Sequence, residues 1–468
     1  MSVPILVCEG DGIGPEIMRS TLRILEAAKA PLSYTFVELG EKIYNKGISS
    51  GVPEDFWDLI SKCKALLKGP IATPLGAGFK SVNVTIRKGL GLFANVRPCV
   101  SYHPFVKTSY PGIDCVIIRE NEEDLYAGIE YQQSSEVFHA IKIVSKPGTE
   151  RIVRYAFEYA RANNRQKVTC LTKNNILKLT DGYFYQRFSE VAKEYPEIQT
   201  EHLIIDIGAA KLATQPQNFD VVVTLNLYGD IVSDIIAEVS GSVGLAASAN
   251  IGEVASMFEA IHGTAPDIAG QGIANPSGLI LASVLMLQHL GLVEHAELIY
   301  NAWAATIEAG VHTKDIAISK SVSTQEFTEA VILNLGNQPR TLKKASFKAK
   351  VDLNKVLAKN YKFEEKNFEG VDVFIEFRGS AEQLVEKLIL SQQNFNLKLI
   401  SNRGLILWPQ KTSDVDPVDQ FRCRFVGDNQ DDVPKLLSSL QQAGVQILKV
   451  EYLFSFSGRR AYSLAQGE

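Results

Sequence analysis

Within the first 335 residues, short apolar strands alternate with amphipathic helices, and this alternation is what most limits the possible folds. Strands are predicted over residues 5–8 and 34–39, and helices over residues 15–28 and 53–62. A strand followed each time by a helix is typical of α/β proteins built on a largely parallel sheet. We therefore predict the α/β fold class for this part of the chain.

A change of composition after Gly336 separates a second region. Residues 339–369 are rich in lysine and arginine and poor in apolar pairs, so we interpret them as a linker. Residues 370–468 then show the order strand, helix, three strands, helix, strand. That order is close to the split β-α-β arrangement of ferredoxin-like domains. We predict a C-terminal α+β domain there.

The composition argues against several classes of partner. The 468 residues include 48 basic and 53 acidic side chains, and the formal net charge of -5 gives no attraction for nucleic acid or an anionic membrane. No apolar run is long enough to span a bilayer, and the first residues lack the pattern of a cleavable signal. The six cysteines form no C-x-x-C pair. We expect a cytoplasmic protein with buried, reduced thiols.

Three glycines after the first predicted strand invite comparison with a dinucleotide-binding turn. Gly10, Gly12 and Gly14 precede the helix. That fingerprint places its third glycine three residues after the second, whereas here Pro15 already follows Gly14. Proline at the first helical position suits a tight strand-to-helix turn, which we favour over a pyrophosphate site.

Two carboxylates follow the apolar strand predicted over residues 221–225. Asp230 and Asp234 are four residues apart, so both lie on one helical face at the carboxyl end of a parallel strand. Mg²⁺ or Mn²⁺ takes a few carboxylates together with substrate oxygens. An N-cap at Asp230 with Asp234 in the first helical turn is the alternative. Asp206 is a candidate third ligand.

Three arginines are candidates for binding an anionic substrate. Arg87 follows Ser81 and Asn83 on one predicted helix, and Arg97 and Arg119 each end an extended segment. Singly, each arginine is more typical of a solvated surface charge. Because arginine binds carboxylates bidentately, three of them beside a divalent-cation site predict a substrate with several carboxylates.

Together these segments resemble the β-decarboxylating dehydrogenases, the family of the isocitrate, isopropylmalate, homoisocitrate and tartrate dehydrogenases. The resemblance covers nearly the whole chain, and the residues after the linker resemble the extra C-terminal domain of the longer bacterial isocitrate dehydrogenases. It is carried by residues 10–16, 68–70, 95–98, 119–121, 124–126, Lys173, Asn175, 226–234 and 262–266, and beyond the linker by 370–374 and 400–404.

The resemblance implies an isocitrate/isopropylmalate dehydrogenase-like fold of two domains with a clasp that dimerises. The large domain would comprise residues 1–92 and 241–338, the small domain residues 93–125 and 146–240, and the clasp residues 126–145. It also implies a homodimer with active sites shared between subunits, with a tetramer as the alternative.

The same resemblance assigns roles to site residues. A hydroxyl and an amide at positions 81 and 83 suit a carboxylate better than a branched alkyl group, so isocitrate is the expected substrate, with homoisocitrate, isopropylmalate and tartrate as alternatives. Lys173 would act as base and Tyr126 as the acid that protonates C3, with Lys173 and Asp206 reaching into the partner's cleft. The implied substrate residues are Ser81, Asn83, Arg87, Arg97, Arg119 and Asn175, and the implied ligands of Mg²⁺ or Mn²⁺ are Asp206, Asp230 and Asp234.

The resemblance also implies a nicotinamide cofactor. NADP-dependent members carry lysine and tyrosine five and six residues after the histidine of the last core motif, whereas this chain has Asp267 and Ile268. Because a carboxylate would repel a 2′-phosphate and bind ribose hydroxyls, we predict NAD. The other residues matched to cofactor contacts are Thr73, Glu259, His262, Gly263, Thr264, Ala265, Ala274 and Asn275.

A non-catalytic regulatory subunit is the competing interpretation, since heteromeric relatives pair catalytic chains with chains that have lost active-site residues. Every position named above is intact in this chain. We therefore predict an enzyme that oxidatively decarboxylates isocitrate to 2-oxoglutarate and CO₂.

Overall fold

A computed structural model describes residues 2–72, 81–347, 351–357, 363–410 and 416–465. The chain forms two compact units, one of residues 1–127 with 143–358 and the other of residues 128–142 with 359–468. Its strands are β1 (Val3–Cys8), β2 (Leu32–Phe36), β3 (Ala65–Lys68), β4 (Ala94–Val100), β5 (Asp114–Glu120), β6 (Glu130–Gln132), β7 (Phe138–Ala140), β8 (Lys167–Thr172), β9 (Gln199–Ile204), β10 (Val221–Thr224), β11 (Ala247–Ile251), β12 (Ser256–Ala260), β13 (Lys366–Glu376), β14 (Asn396–Asn402), β15 (Leu405–Trp408), β16 (Gln420–Val426), β17 (Gln446–Phe456) and β18 (Arg459–Arg460). Its helices are α1 (Gly14–Ala27), α2 (Glu41–Tyr44), α3 (Phe56–Cys63), α4 (Val82–Gly89), α5 (Lys146–Ala162), α6 (Thr180–Ala192), α7 (Ile205–Thr214), α8 (Asn226–Ser240), α9 (Ser277–His289), α10 (Val293–Glu308), α11 (Thr324–Leu333), α12 (Ala381–Leu388) and α13 (Val433–Gln442).

A ten-stranded sheet forms the centre of the first unit, in the order β2-β1-β3-β12-β11-β4-β5-β10-β8-β9. β11 runs antiparallel to both β12 and β4, and β4 runs antiparallel to β5, while the other neighbouring pairs are parallel. Apolar runs such as Ile5, Leu6 and Val7 are fully buried because helices cover both faces of the sheet. The predicted α/β class is confirmed.

The glycines after β1 serve close approach between chain segments. Gly10 and Gly12 have φ angles of 75° and 60°. A Cβ atom would lie 2.2 Å from the carbonyl oxygen of Pro70 at Gly10 and 2.1 Å from that of Thr264 at Gly12. Only glycine fits such positions. The turn therefore joins the start of α1 to the loops at Pro70 and Thr264, which agrees with a structural interpretation of this motif.

The second unit contains a six-stranded antiparallel sheet in the order β15-β14-β16-β13-β17-β18. α12 and α13 contribute Leu384 and Leu436 to the same buried cluster as Val373 of β13. The order β14-β16-β13-β17, with one helix after β13 and one after β16, is the ferredoxin-like topology that the sequence predicts.

The hairpin β6–β7 also belongs to the second unit, and it lies inside the predicted clasp. Ser135 Oγ donates to Asp419 Oδ2 at 2.7 Å, and His139 Nε2 lies 2.8 Å from Gln420 Oε1. The hairpin thus packs on residues of the C-terminal region. The predicted boundary between large and small domains falls within the first unit and stays a prediction.

The most apolar helix, α9, is a core element of the first unit, with Leu279 and Ile280 fully buried. Among the described helices, none combines the length and hydropathy needed to cross a membrane. All six cysteines are buried, as predicted.

Candidate active site

A cavity of about 310 Å³ in the first unit brings together many of the predicted site residues. They come from α4 and the residue before it, from β4 and β5, from a 3₁₀ turn at residues 125–127, from α8, and from the end of β12 and the residues after it. The predicted residues that line it are Ser81, Asn83, Arg87, Arg97, Arg119, Tyr126, Asp230, Asp234, Glu259 and His262.

Asp230 is the centre of the charge network in this cavity. Its carboxylate accepts hydrogen bonds from the guanidinium of Arg119 and from the hydroxyl of Tyr126. One nitrogen of Arg97, Nη2, lies 3.3 Å from Asp230 Oδ1, and the other, Nη1, lies 3.3 Å from Asp234 Oδ1. The predicted carboxylate pair and two of the predicted arginines therefore meet at one place.

Fixed neighbours hold both arginines in position. Side chains alternate along β4, so Asn95 and Arg97 share a face, and Arg97 Nε donates to Asn95 Oδ1 at 2.7 Å. Arg119 Nε donates to the carbonyl oxygen of Asn226 at 3.0 Å. A Cβ atom at Gly229 would lie 2.5 Å from Cγ of Arg119, so a residue without a side chain at this position leaves room for the side chain of Arg119. Both arginines are nearly buried and have little freedom to reorient.

The surroundings shift the pKa of each titrating group in a definite direction. Burial alone would raise the pKa of Asp230, but Arg119 and Arg97 outweigh it and hold that pKa below its ordinary value. For Asp234, burial prevails and raises the pKa. Burial and the hydrogen bond to Asp230 raise the pKa of the Tyr126 hydroxyl. Tyr126 is therefore a protonated donor at neutral pH, beside an ionised carboxylate.

A buried ion-pair layer supports the arginine side of the cavity. Glu259 Oε2 lies 2.8 Å from Lys68 Nζ, and Glu259 Oε1 lies 3.2 Å from Arg87 Nη2. Asn250 Nδ2 also donates to Glu259 Oε1 at 2.9 Å. The family resemblance assigns Glu259 to the cofactor, and the sequence alone indicates no role for Lys68. Only the parallel pairing of β12 with β3, which sets Glu259 beside Lys68, brings the two together.

Three polar atoms in the cavity are buried and have no hydrogen-bond partner within the described part of the chain. They are Asn83 Oδ1, Arg87 Nε and His262 Nε2. Burial lowers the pKa of His262, so its ring is neutral at physiological pH. Buried polar atoms are nearly always paired in folded proteins. These three atoms are consistent with a site that is completed by a polar ligand.

Lys173, Asn175 and Asp206 are not among the residues that line this cavity. Lys173 Nζ lies 2.6 Å from Asp206 Oδ1, and the side chain of Asp206 is 60% exposed. Within the described ranges, no three histidine, cysteine, aspartate or glutamate side chains form a cluster that could hold a metal ion. One chain therefore brings together two of the three predicted metal ligands. Exposed apolar side chains lie near Lys173 and Asp206 in the sequence and on α8: Ile176, Leu177, Leu179, Ile207 and Ile231.

A second cavity of about 670 Å³ shares His262 with the first. It is also lined by Lys314 and Asp315, which the sequence reasoning missed, and Asp315 Oδ2 accepts hydrogen bonds from Asn275 and Ser242. The predicted cofactor residues in its wall are His262, Gly263, Ala265, Ile268 and Asn275.

Among the remaining predicted cofactor residues that the structure describes, none lines this second cavity. Thr73 lies outside the described residues. The carbonyl oxygen of Thr264 accepts from the backbone of Ile13, and the backbone N–H of Ala274 donates to Glu16. Asp267 is exposed in the loop.

An arginine- and carboxylate-lined cavity that shares His262 with a larger cavity is suited to an anionic substrate beside a second ligand, as in a cofactor-dependent α/β enzyme. The chain belongs to the isocitrate/isopropylmalate dehydrogenase family, which it matches over residues 4–331. Residues 366–468 match the C-terminal domain of bacterial isocitrate dehydrogenases.

Similar proteins share almost the whole length of the chain. It is 52% identical over 479 residues to "Isocitrate dehydrogenase [NADP]" of Rickettsia bellii, with 99% of each chain covered. It is 42% identical over 480 residues to the protein of the same name from Thermus thermophilus, covering 99% of this chain and 96% of that one. The crystal structure of the TT0538 protein from Thermus thermophilus superposes with a TM-score of 0.94 at 42% identity, with the same coverage.

These names overturn the prediction of NAD as cofactor, because both relatives are named for NADP. The prediction rested on repulsion between Asp267 and a 2′-phosphate. Asp267 is exposed, and water and salt screen the interactions of exposed charges. Lys314 lines the larger cavity and supplies a positive charge there. One carboxylate in the loop was therefore too little evidence for the choice of cofactor.

Proposed function

We propose that this protein oxidatively decarboxylates isocitrate to 2-oxoglutarate and CO₂, with NADP as hydride acceptor. The observation that carries the proposal is the convergence of Arg87, Arg97 and Arg119 on one cavity that also contains the carboxylates of Asp230 and Asp234. Three guanidiniums match a substrate with three carboxylates. The names of the relatives support both isocitrate and NADP.

The orphaned polar atoms support the assignment of isocitrate within the family. Ser81 and Asn83 line the cavity at the start of α4, and Asn83 Oδ1 is without a partner in the described chain. An isopropyl group would offer no hydrogen bond to either side chain, which is unfavourable, whereas the amide N–H of Asn83 and the hydroxyl of Ser81 can donate to a carboxylate, and a bridging water can donate to Asn83 Oδ1. Homoisocitrate, isopropylmalate and tartrate remain the alternatives for the assay to exclude.

The donor set at Asp230 and Asp234 fits a hard divalent cation, since both residues offer carboxylate oxygens to the same cavity. Substrate carboxylates would replace Asp230 as the partners of Arg97 and Arg119, which frees its oxygens for the ion. Asp230 and Asp234 would hold Mg²⁺ or Mn²⁺ there, and the bound ion would supply Lewis-acid polarisation of the substrate oxygens, with NADP as the hydride acceptor.

The protein's own groups would move the protons. The raised pKa of Tyr126 keeps its hydroxyl protonated, so this side chain is suited to protonate C3 after CO₂ has left. The buried positions of Arg97 and Arg119 hold the substrate in one orientation.

We assign the base to Lys173 of a partner subunit, which makes the protein a homodimer with shared active sites. Support comes from the absence of Lys173 and Asp206 from the cavity of their own chain and from the exposed apolar residues near them. In the dimer, the partner's Lys173 and the partner's Asp206 would complete the base and the set of metal ligands.

Steady-state assays of isocitrate, homoisocitrate, isopropylmalate and tartrate, each with NADP and with NAD in the presence of Mg²⁺, test the substrate and the cofactor. We expect the highest kcat/KM for isocitrate with NADP. A higher kcat/KM for another of these acids, or for isocitrate with NAD, would contradict the corresponding part of the proposal.

Mixing two inactive variants tests the shared site. Lys173→Met and Arg97→Ala should each be nearly inactive as homodimers. After unbiased exchange at equal amounts, about half of the dimers would be heterodimers with one intact site, so about a quarter of wild-type activity should return. Lys193→Met, which changes an exposed lysine at the end of α6, is the matched control and should remain active before mixing. No recovery under conditions shown to exchange subunits would mean that each chain supplies its own lysine.

A further inference from the structure

A third cavity, of about 400 Å³, lies beside the central strands of the first unit. Arg97 of β4 lines the active-site cavity, whereas the next three residues of that strand, Pro98, Cys99 and Val100, line the third one. Residues of α5, α9 and α10 and residues 343–347 line the third cavity, and all of them belong to the first unit. Its volume is in the range of small-molecule sites, and the function proposed above makes no use of it.

Aromatic rings form a large part of its wall. Tyr102, Tyr159, Tyr300 and Phe347 all line it, and the rings of Tyr300 and Phe347 meet edge to face with centroids 5.8 Å apart. Burial raises the pKa of Tyr159 and of Tyr300 to about 12, so their hydroxyls are neutral donors at physiological pH. Rings packed in this way offer preformed faces and edges to a flat aromatic molecule.

The charged groups in the wall are almost balanced. Arg165 lies 2.5 Å from Asp114 and 3.0 Å from Asp220, and Lys343 lies 3.2 Å from Asp114. These four side chains neutralise one another. Lys344 also lines the cavity, and it has no ion-pair partner within the described part of the chain. The wall therefore carries one positive charge in excess.

We propose that this cavity is a second small-molecule site, which binds a planar aromatic molecule carrying a single negative group. The tyrosine and phenylalanine rings would contact the flat ring system, and the side-chain amides of Asn163 and Gln288 would pair with polar atoms at its edge. Lys344 would attract the negative group. A dianion or a cation would lack a matching charge in the wall.

Indole-3-acetate is a suitable probe, because it joins a planar bicycle to one carboxylate. Indole-3-acetamide keeps the ring and lacks the charge, and hexanoate keeps the charge and lacks the ring. Binding of each to the full-length protein can be measured by saturation-transfer NMR and titration calorimetry, with and without saturating isocitrate. The variants are Lys344→Ala, Gln288→Trp to fill the cavity, and Lys320→Ala as a control at an exposed lysine outside it.

We expect indole-3-acetate to bind more tightly than either analogue, and equally well in the presence of isocitrate. Lys344→Ala should weaken its binding about fivefold without changing that of the amide, and Lys320→Ala should have no effect. Gln288→Trp should abolish binding while thermal unfolding and isocitrate turnover show an intact fold. No binding of indole-3-acetate, displacement by isocitrate, equal binding of hexanoate, or indifference to Lys344→Ala would each overturn the proposal. These binding outcomes do not depend on which reaction the protein catalyses.

Discussion

Replacing Glu259 by glutamine should strongly destabilise the first unit. Glu259 is 5% exposed, and its carboxylate is the shared partner of Lys68 and Arg87. Glutamine keeps the size of the side chain and removes the charge. Two buried cations then lose their common counter-ion, which is the situation in which breaking a buried ion pair is most unfavourable.

The pKa of Glu259 gives the magnitude. Burial would raise this pKa, but Lys68 and Arg87 lower it from 4.5 to about 2. One pKa unit corresponds to about 1.4 kcal/mol, so the ionised carboxylate contributes about 3 kcal/mol to the stability of the folded state at neutral pH. Because the folded-state pKa is depressed, this contribution is complete above pH 4.5 and is lost as the pH falls from 4.5 toward 2.

Urea denaturation at several pH values measures the effect. At pH 7, Glu259→Gln should lower the free energy of unfolding by about 3 kcal/mol, and the difference from wild type should shrink at about pH 3.5. Glu253→Gln, at an exposed glutamate between β11 and β12, is the matched control and should change it by less than about 0.5 kcal/mol. Adding Lys68→Met to Glu259→Gln should recover part of the loss. A loss below about 1 kcal/mol at pH 7, or an equal loss at both pH values, would refute this reasoning.

Three further substitutions probe separate parts of the molecule. Tyr126→Phe should lower kcat with isocitrate by roughly 10²- to 10⁴-fold and leave the Mg²⁺ requirement unchanged, and near-normal turnover would remove Tyr126 from its role. Asp230→Asn should raise the Mg²⁺ concentration needed for half-maximal activity, and an unchanged requirement in a metal titration would argue against Asp230 as a ligand. Asp372→Asn removes the carboxylate that lies 2.8 Å from Arg424 Nε, and Arg424 is 1% exposed, so calorimetry should show the second unit destabilised by about 3 kcal/mol; an unchanged melting profile would contradict this.

The fold was predictable because the apolar runs are strong and regular. The strand predicted over residues 5–8 lies within β1, the helix predicted over residues 15–28 matches α1, and the C-terminal order of elements matches the observed topology. The boundary of the second strand was predicted less well, since β2 ends at Phe36 rather than at residue 39. The chain turns at Gly40, where φ is 84°, and no hydrophobic pattern marks where pairing stops before such a turn.

The site was predictable where its residues are neighbours in sequence or carry a family motif, as Asp230 and Asp234 do. Lys68 escaped notice because its partnership with Glu259 depends on the pairing of β3 with β12, and spacing along the chain contains no information on that pairing. The prediction of NAD was wrong because one exposed carboxylate, that of Asp267, does not show which groups face a bound phosphate.

The strand order of the first sheet has a consequence for how the protein is made. β3 and β4 follow one another in sequence, yet β12 and β11 lie between them in the sheet. When β1 to β5 have been synthesised, up to Glu120, the edges of β3 and β4 therefore have no partner strand. They stay unpaired until β12 is complete at Ala260. At the usual pace of synthesis, the intervening stretch of about 140 residues takes on the order of ten seconds, during which the open edges are available to other chains. Because β12 lies between β3 and the rest of the sheet, the part formed by β2, β1 and β3 can join the rest only after Ala260 has left the ribosome.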